Sequence, residues 1–251
     1  MLVMGILNVT PDSFADGGRH NDFDAAISRG LEMIAEGVDI IDIGGESTRP
    51  GADRVSEEEE ISRTIPVIAE LAKHGATISI DTMRAITAEA AINAGASIIN
   101  DVSGGLADVA MLQTAARLKV PYIAMHWRGQ SKDMNSKAVY GDVVTDVISE
   151  LNERIEAALD AGIEKDKLII DPGIGFAKDA EHNWAIIDSI ERFVSMDYPV
   201  LVGASRKRFL GGESPDEREQ ATIELTKRLG ATGIWAVRVH SVKPHKEVLN
   251  S

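Results

Sequence analysis

The chain has no cysteine and few aromatic residues, which make up 4% of its 251 positions, and it has only 26 Lys+Arg against 40 Asp+Glu. Without cysteine there is no disulfide framework, no thiolate zinc site and no catalytic thiol, a composition that fits a reducing compartment and makes the cytoplasm the expected location. The net charge of -14 repels nucleic acid and anionic membrane, so neither is expected as a partner, and any anionic substrate must be held by local cations. The scarcity of aromatic platforms argues against a site that stacks sugar rings between paired carboxylates. No stretch is rich in proline, glycine and serine together, and no period of repeat-protein length recurs, so a single domain is expected over residues 1–251. The apolar run Leu2 to Leu7 is short and lacks a basic flank; it reads as a core strand and not as a signal peptide.

What is present is a regular alternation. Eight short, β-branched apolar runs recur: Leu2 to Leu7, Val38 to Ile43, Thr77 to Ile80, Ser97 to Ile99, Val120 to Met125, Leu168 to Ile170, Val200 to Val202 and Ile234 to Val239. Between them, stretches such as Phe23 to Glu36, Ser56 to Lys73, Arg84 to Asn93 and Val143 to Leu159 repeat apolar residues at spacings of three and four, which predicts helices. Eight strand–helix units in roughly 250 residues predict an α/β fold, a single-domain (β/α)8 TIM barrel; an open doubly wound sheet usually has about five or six strands.

Each run ends in polar chemistry: Asn8, the stretch Gly44 to Arg49, Asp81, Asn100 with Asp101, His126, Asp171, the stretch Ser205 to Arg208, and His240. In a barrel these ends meet at one mouth. Asp81, Asn100 and Asp171 would place acceptors there, suited to a planar heterocycle with an amino group beside a ring N–H. Taken singly, Asp81 also suits a helix cap and Asp171 the start of the turn Asp171-Pro172-Gly173. Arg206, Lys207 and Arg208, with Arg238 and His240, supply cations at the last two strands, where barrels commonly hold phosphate, although such a run also suits a solvated patch. Asn8 offers an oxygen to Mg2+, which takes one or two protein oxygens and completes its shell with water and phosphate. The loops Asn8 to Arg19 and Gly44 to Arg54 read as lids. Gly5 and Gly173-Ile174-Gly175 mark candidate close approaches of backbone, and Ser56 to Glu59 reads as a helix-capping segment. Trp127, Trp184 and Trp235 suit packing as well as ligand contact, and His74, His182 and His245 lack metal-ligand spacing.

Two segments, Met4-Gly-Ile-Leu-Asn-Val-Thr-Pro-Asp-Ser-Phe14 with Asp16-Gly-Gly18, and Gly44-Gly-Glu-Ser-Thr-Arg-Pro-Gly51, resemble the signatures of the dihydropteroate synthase family of pterin-binding barrels. The resemblance continues in the family's order through Ser79-Ile-Asp-Thr82, Ile99-Asn-Asp-Val102, Met125-His126, Asp171-Pro-Gly-Ile-Gly-Phe176, Gly203-Ala-Ser-Arg-Lys207 and Arg238-Val-His240. It implies a transferase of folate biosynthesis that condenses 6-hydroxymethyl-7,8-dihydropterin diphosphate with p-aminobenzoate. By the same resemblance, Asp81, Asn100 and Asp171 accept from the pterin, Lys207 donates to it, and Met125, Phe176 and Gly203 line its pocket. Asn8 is implied as the Mg2+ ligand, and Arg238 and His240 as the diphosphate pair. Phe14, Asp16, Thr48, Arg49 and Pro50 would close over the substrates and form the p-aminobenzoate site, with Asp16 and Arg49 joining Lys207, Arg238 and His240 in catalysis. Arg208 stands beside the expected p-aminobenzoate carboxylate, where many members carry a small hydroxyl residue. Sulfonamides are the implied inhibitors. A homodimer through helices late in the barrel is the implied assembly, although Gly211 to Leu229 is short here and Pro244 lies in the brief segment after His240. A pterin-binding methyltransferase would share the carboxylates and Asn100, but Ser205-Arg-Lys207 with Arg238-Val-His240 separates this chain from that class.

Overall fold

The computed structural model describes residues 1–10, 18–47, 54–130 and 134–250, and every count below is made over these. Eight parallel strands run β1 (Leu2–Asn8), β2 (Ile40–Gly44), β3 (Ile78–Asp81), β4 (Ile98–Asp101), β5 (Tyr122–Met125), β6 (Leu168–Asp171), β7 (Leu201–Val202) and β8 (Ala236–Val239). They lie in the order β6-β5-β4-β3-β2-β1-β8-β7. A parallel bridge between Ile170 and Val200 joins the two edges, giving a nearly closed barrel. The helices between them are α1 (Gly18–Ala35), α2 (Glu57–Ala72), α3 (Ala85–Ala94), α4 (Met111–Leu118), α5 (Val143–Asp160), α6 (Ala180–Asp188), α7 (Ile190–Val194), α8 (Glu217–Leu229) and α9 (Lys243–Leu249). The expected (β/α)8 barrel is therefore present. No described helix is long and apolar enough to cross a membrane.

The strands are apolar on both faces because both are covered. Ile41, Ile43, Ile78, Ile80, Ile99 and Ile170 belong to the large core shared with the helices. The opposite face forms a separate cluster of Met4, Ile40, Ile98, Ile123, Ile169, Leu201 and Ala236, with Leu2 and Trp235 packed against it. Side chains two apart share a face of a strand. Asp42, Asn100, Met125, Asp171, Gly203 and Arg238 each stand two residues after a member of that inner cluster, so they form the next layer towards the mouth.

The strands also run further than the apolar pattern indicates. Asn8, Asp81, Asn100, Asp101 and Asp171, expected just beyond the strands, are strand residues, and the ladder pairs Asp81 with Asn100 and Met125 with Asp171. Asp81 finds its partner Arg238 at the mouth, whereas Asp101, on the helix-facing side with Ile99, accepts from Ser103 and from the Tyr122 hydroxyl, each at 2.7 Å. Ser56 caps α2, accepting from the Glu59 amide at 3.2 Å, and His182 completes a capping box with Asp179 at α6. A Cβ on Gly5 would stand 3.0 Å from Val242 and 3.1 Å from Met33 and Val38, so this glycine lets α1 and α9 approach β1 and does not serve the mouth. Helix α9 is brief, with Pro244 in its first turn.

Candidate active site

Arg238 organises the mouth. Its Nε donates to Asp42 Oδ2 at 2.6 Å and its Nη2 to Asp81 Oδ2 at 2.7 Å, which ties β8 to β2 and β3. Asn100 Nδ2 donates to the same Asp42 oxygen at 3.1 Å, so the amide carbonyl is the group that Asn100 keeps for accepting. Burial is the largest influence on Asp81 and pushes its carboxyl up to about 7; Arg238 pulls it down, while Asp42, Glu60 and Asp101 push it further up. Arg238 is held firmly cationic by Asp42 and Asp81 against its own desolvation.

Asp81 does not cap α3. The Ala85 amide there donates instead to Asp108 at 2.8 Å. Asp171 does start its turn, accepting from the Gly173 amide at 2.7 Å. Its other oxygen nonetheless reaches the site, 4.0 Å from the point where a Cβ on Gly203 would stand, and Arg238 Cβ lies 3.8 Å from the same point. Asp171, Gly203 and Arg238 therefore meet. Burial raises Asp171, opposed by the Gly173 amide, Lys207 and Arg238.

Lys207 donates to the Ile174 carbonyl, and its Nζ lies 4.7 Å from the centre of the Phe176 ring. Desolvation lowers this ammonium to about 8 against the pull of Asp171. Met125 is buried with Met83 and Val102, and Phe176 and Trp127 pack on them to give an apolar wall. Gly173 has φ +69, and a Cβ there would stand 2.4 Å from the His126 carbonyl oxygen, so the turn that presents Asp171 requires glycine. His240 is half-buried; its amide donates to Ser205 Oγ at 3.2 Å, and the same hydroxyl lies 3.0 Å from His240 Nδ1. Ser205 thus holds both the backbone and the ring of His240.

The late cationic run does not act as one group. Arg206 adopts φ +57, and its side chain turns to Glu219 on α8 at 2.5 Å and to Ser241 at 2.7 Å. This is a correction to the phosphate reading of the whole run. The left-handed backbone at Arg206 points neighbouring side chains in different directions, so Lys207 meets Ile174 and Phe176 while Arg206 ties the loop to α8. Arg208 is exposed at the start of a short 3-10 turn, Arg208–Leu210. His126, although it follows β5 directly, is buried away from the mouth against Lys178 and Glu150. Phe14, Asp16, Thr48, Arg49 and Pro50 lie outside the described residues.

Asn8 is half-buried at the end of β1, in register with Gly44, which carries no side chain. Among the described residues, no group of three or more His, Cys, Asp or Glu converges to hold a metal. A lone amide oxygen fits Mg2+ that draws the rest of its shell from water and phosphate, and does not fit an ion caged by protein alone.

Asp42 and Lys178 were not legible as site residues, and Ser205 was legible only as part of the polar stretch Ser205 to Arg208, without its bond to His240. The available signal for Asp42 was a charge inside the run Ile40-Ile41-Asp42-Ile43; a strand covered on both faces can hold a carboxylate only against a partner. Nothing local marks Lys178.

Residues 4–240 match the pterin-binding enzyme family. A dihydropteroate synthase of Mycobacterium leprae (strain TN) is 47% identical over 257 aligned positions, covering 98% of this chain and 90% of the relative. The structure of Xanthomonas albilineans dihydropteroate synthase with 4-aminobenzoic acid superposes with a TM-score of 0.93 at 42% identity, covering 99% of this chain and 90% of that one. The same enzyme in complex with 7,8-dihydropteroate superposes with a TM-score of 0.90 at 39% identity, covering 99% and 91%. By the extent of the family match and the identity to these relatives, the chain belongs to the dihydropteroate synthases of the pterin-binding enzyme family.

Proposed function

We propose that the chain transfers the pterin-methyl group of 6-hydroxymethyl-7,8-dihydropterin diphosphate to the amino nitrogen of p-aminobenzoate, forming 7,8-dihydropteroate and diphosphate. The observation that carries this reading is the network in which Asp42 and Asp81 take Arg238 and Asn100 donates to Asp42, with Asp171 and Lys207 beside them. Carboxylates and an amide carbonyl deep in the mouth accept from the donor edge of the pterin, and Lys207 donates to its acceptor edge. Met125 and Phe176 supply apolar contact to the flat ring and exclude water from it.

As the bond from the methylene carbon to the diphosphate oxygen lengthens, negative charge grows on the leaving group. Arg238 is already oriented by two carboxylates and His240 by Ser205, so both can stabilise that charge without rearranging. Mg2+ bound at Asn8 would neutralise part of the diphosphate charge. The aniline nitrogen then forms the new C–N bond and releases its proton to solvent. No nucleophilic side chain is needed, because the electron-rich pterin stabilises the carbon that the leaving group vacates.

Family resemblance and composition supply the remaining assignments. Phe14, Asp16, Thr48, Arg49 and Pro50 close over the substrates, with Asp16 and Arg49 acting alongside Lys207, Arg238 and His240. Arg208 lies near the p-aminobenzoate carboxylate, sulfonamides compete with that substrate, the chain pairs as a homodimer, and it works in the cytoplasm. The test is mass spectrometry of the purified protein with both substrates. Dihydropteroate and diphosphate should form together, only with both substrates present, and stop when EDTA removes Mg2+. No dihydropteroate under these conditions would leave a pterin-binding protein without turnover.

A further inference from the structure

A second buried polar cluster adjoins the loop that follows β6. Lys178 is 8% exposed and His126 1% exposed. Lys178 Nζ lies 2.9 Å from His126 Nδ1, 3.0 Å from the Gly173 carbonyl and 3.1 Å from the Phe176 carbonyl. His126 Nε2 lies 2.9 Å from Glu150 Oε2, and Glu150 is held in turn by Arg128 at 3.0 and 3.1 Å. Burial, with Lys178 next, pushes the His126 imidazole down to about 4, so the ring is neutral. The tautomer follows: Nδ1 accepts from the ammonium and Nε2–H donates to Glu150.

An ammonium has three N–H groups, and here each has an acceptor. Two of those acceptors are the carbonyls at either end of the segment 173–176. The same segment is held by Lys207 on the Ile174 carbonyl and by the Gly175 amide donating to Asn183 Oδ1 at 2.7 Å. Desolvation lowers Lys178 to about 7, against the pull of Asp171. Stability does not call for a buried cation at this position, since an apolar side chain of similar length would avoid the desolvation.

Given the pterin reading of the mouth, on which this rests, we infer that Lys178 is a positioning residue of the pterin pocket: oriented by His126 and Glu150, it clasps both ends of the segment 173–176, so that Asp171 and the Phe176 ring are set before the pterin arrives. It acts on one substrate only. The Lys178→Met variant should therefore raise KM for the pterin diphosphate at least tenfold, leave KM for p-aminobenzoate within twofold, and change the melting temperature by no more than a few degrees. The His126→Phe variant keeps Lys178 on its two carbonyls but removes the orienting ring, and should shift the same constant in the same direction by less. Parallel changes in both KM values, or an unchanged pterin KM in whichever variant folds, overturn the assignment. Calorimetric titration with 6-hydroxymethylpterin reads the pocket without turnover. If the native protein binds this pterin but makes no dihydropteroate, the transferase reading fails, and the assignment of Lys178 stands or falls on the affinity lost by its variant. If the native protein binds no pterin, both fail.

Discussion

Arg238 Nε and Asp42 Oδ2 stand 2.6 Å apart at the centre of the mouth, although 196 residues separate them along the chain. Asp42 is fully buried and also takes the Asn100 amide at 3.1 Å, so one carboxylate orients both a cation and an acceptor of the site. The Asp42→Asn variant keeps the volume and removes the charge. Losing such preorganisation should lower kcat/KM by about 100-fold, and breaking a buried pair should reduce stability by about 2 kcal/mol or more, since Asp81 remains to compensate Arg238 only in part. Steady-state kinetics and urea denaturation read the two effects, and a kcat/KM within twofold of the native value would remove Asp42 from the machinery.

The titration of the pocket predicts a bell-shaped profile for pterin binding. Asp81, raised to about 7, is protonated in the empty protein below that pH, whereas a pterin donor needs the carboxylate. Affinity should fall about tenfold per pH unit on the acid side. Lys178 and Lys207, lowered to about 7 and about 8, lose protons on the alkaline side, one loosening the loop and the other losing a donor, so affinity falls again. The Asp81→Asn variant should lose the acid limb and bind about 10- to 100-fold more weakly near neutral pH, as a hydrogen bond to a charged group contributes about 1.5–3 kcal/mol. Calorimetry across this range decides it; a flat native profile would sink the assignment.

Glycine at 173 is required twice over, by its φ of +69 and by the His126 carbonyl 2.4 Å from any Cβ. Gly173→Ala should cost about 1–3 kcal/mol, which lowers the melting temperature by several degrees for a chain of about 250 residues, and should weaken pterin binding through Asp171. Gly211 has a similar φ of +87 with nothing within 4 Å of a Cβ, so Gly211→Ala should show a smaller thermal loss and unchanged pterin affinity. Equal pterin affinity in the two variants would contradict the role given to the turn.

Ser205 touches both the amide and the ring of His240. Ser205→Ala removes these bonds without filling space and should reduce kcat roughly tenfold, because a neutral hydrogen bond contributes about 1 kcal/mol and a freed imidazole spends less time aimed at the leaving group. KM for p-aminobenzoate should not move. A normal kcat would show that His240 is held well enough by its backbone.

The barrel was readable because alternation of short β-branched runs with three-and-four spaced helices is a local property, repeated eight times. Its mouth was readable for a related reason: the polar residues at the C-terminal ends of parallel strands gather at one rim of a barrel, which brought Asp81, Asn100, Asp171, Lys207, Arg238 and His240 to light as candidates, although His126, in the same kind of position, turns instead to Lys178 and Glu150. What stayed hidden depends on partners distant in the chain. Asp42 sits inside an apolar run and becomes intelligible only once Arg238 arrives from β8; Arg206 and Lys207 are adjacent and alike in charge, yet the φ of +57 at Arg206 and the carboxylate of Glu219 send their side chains to different elements. Pattern and propensity, which act over a few residues, were thus enough to specify the architecture and the chemical character of its rim. Which charge faces which, and which carbonyls of the loop at 173–176 each of Lys178 and Lys207 takes, was decided by folding, because electrostatic pairing in a desolvated interior depends on distances of 3 Å between groups that the linear chain keeps far apart.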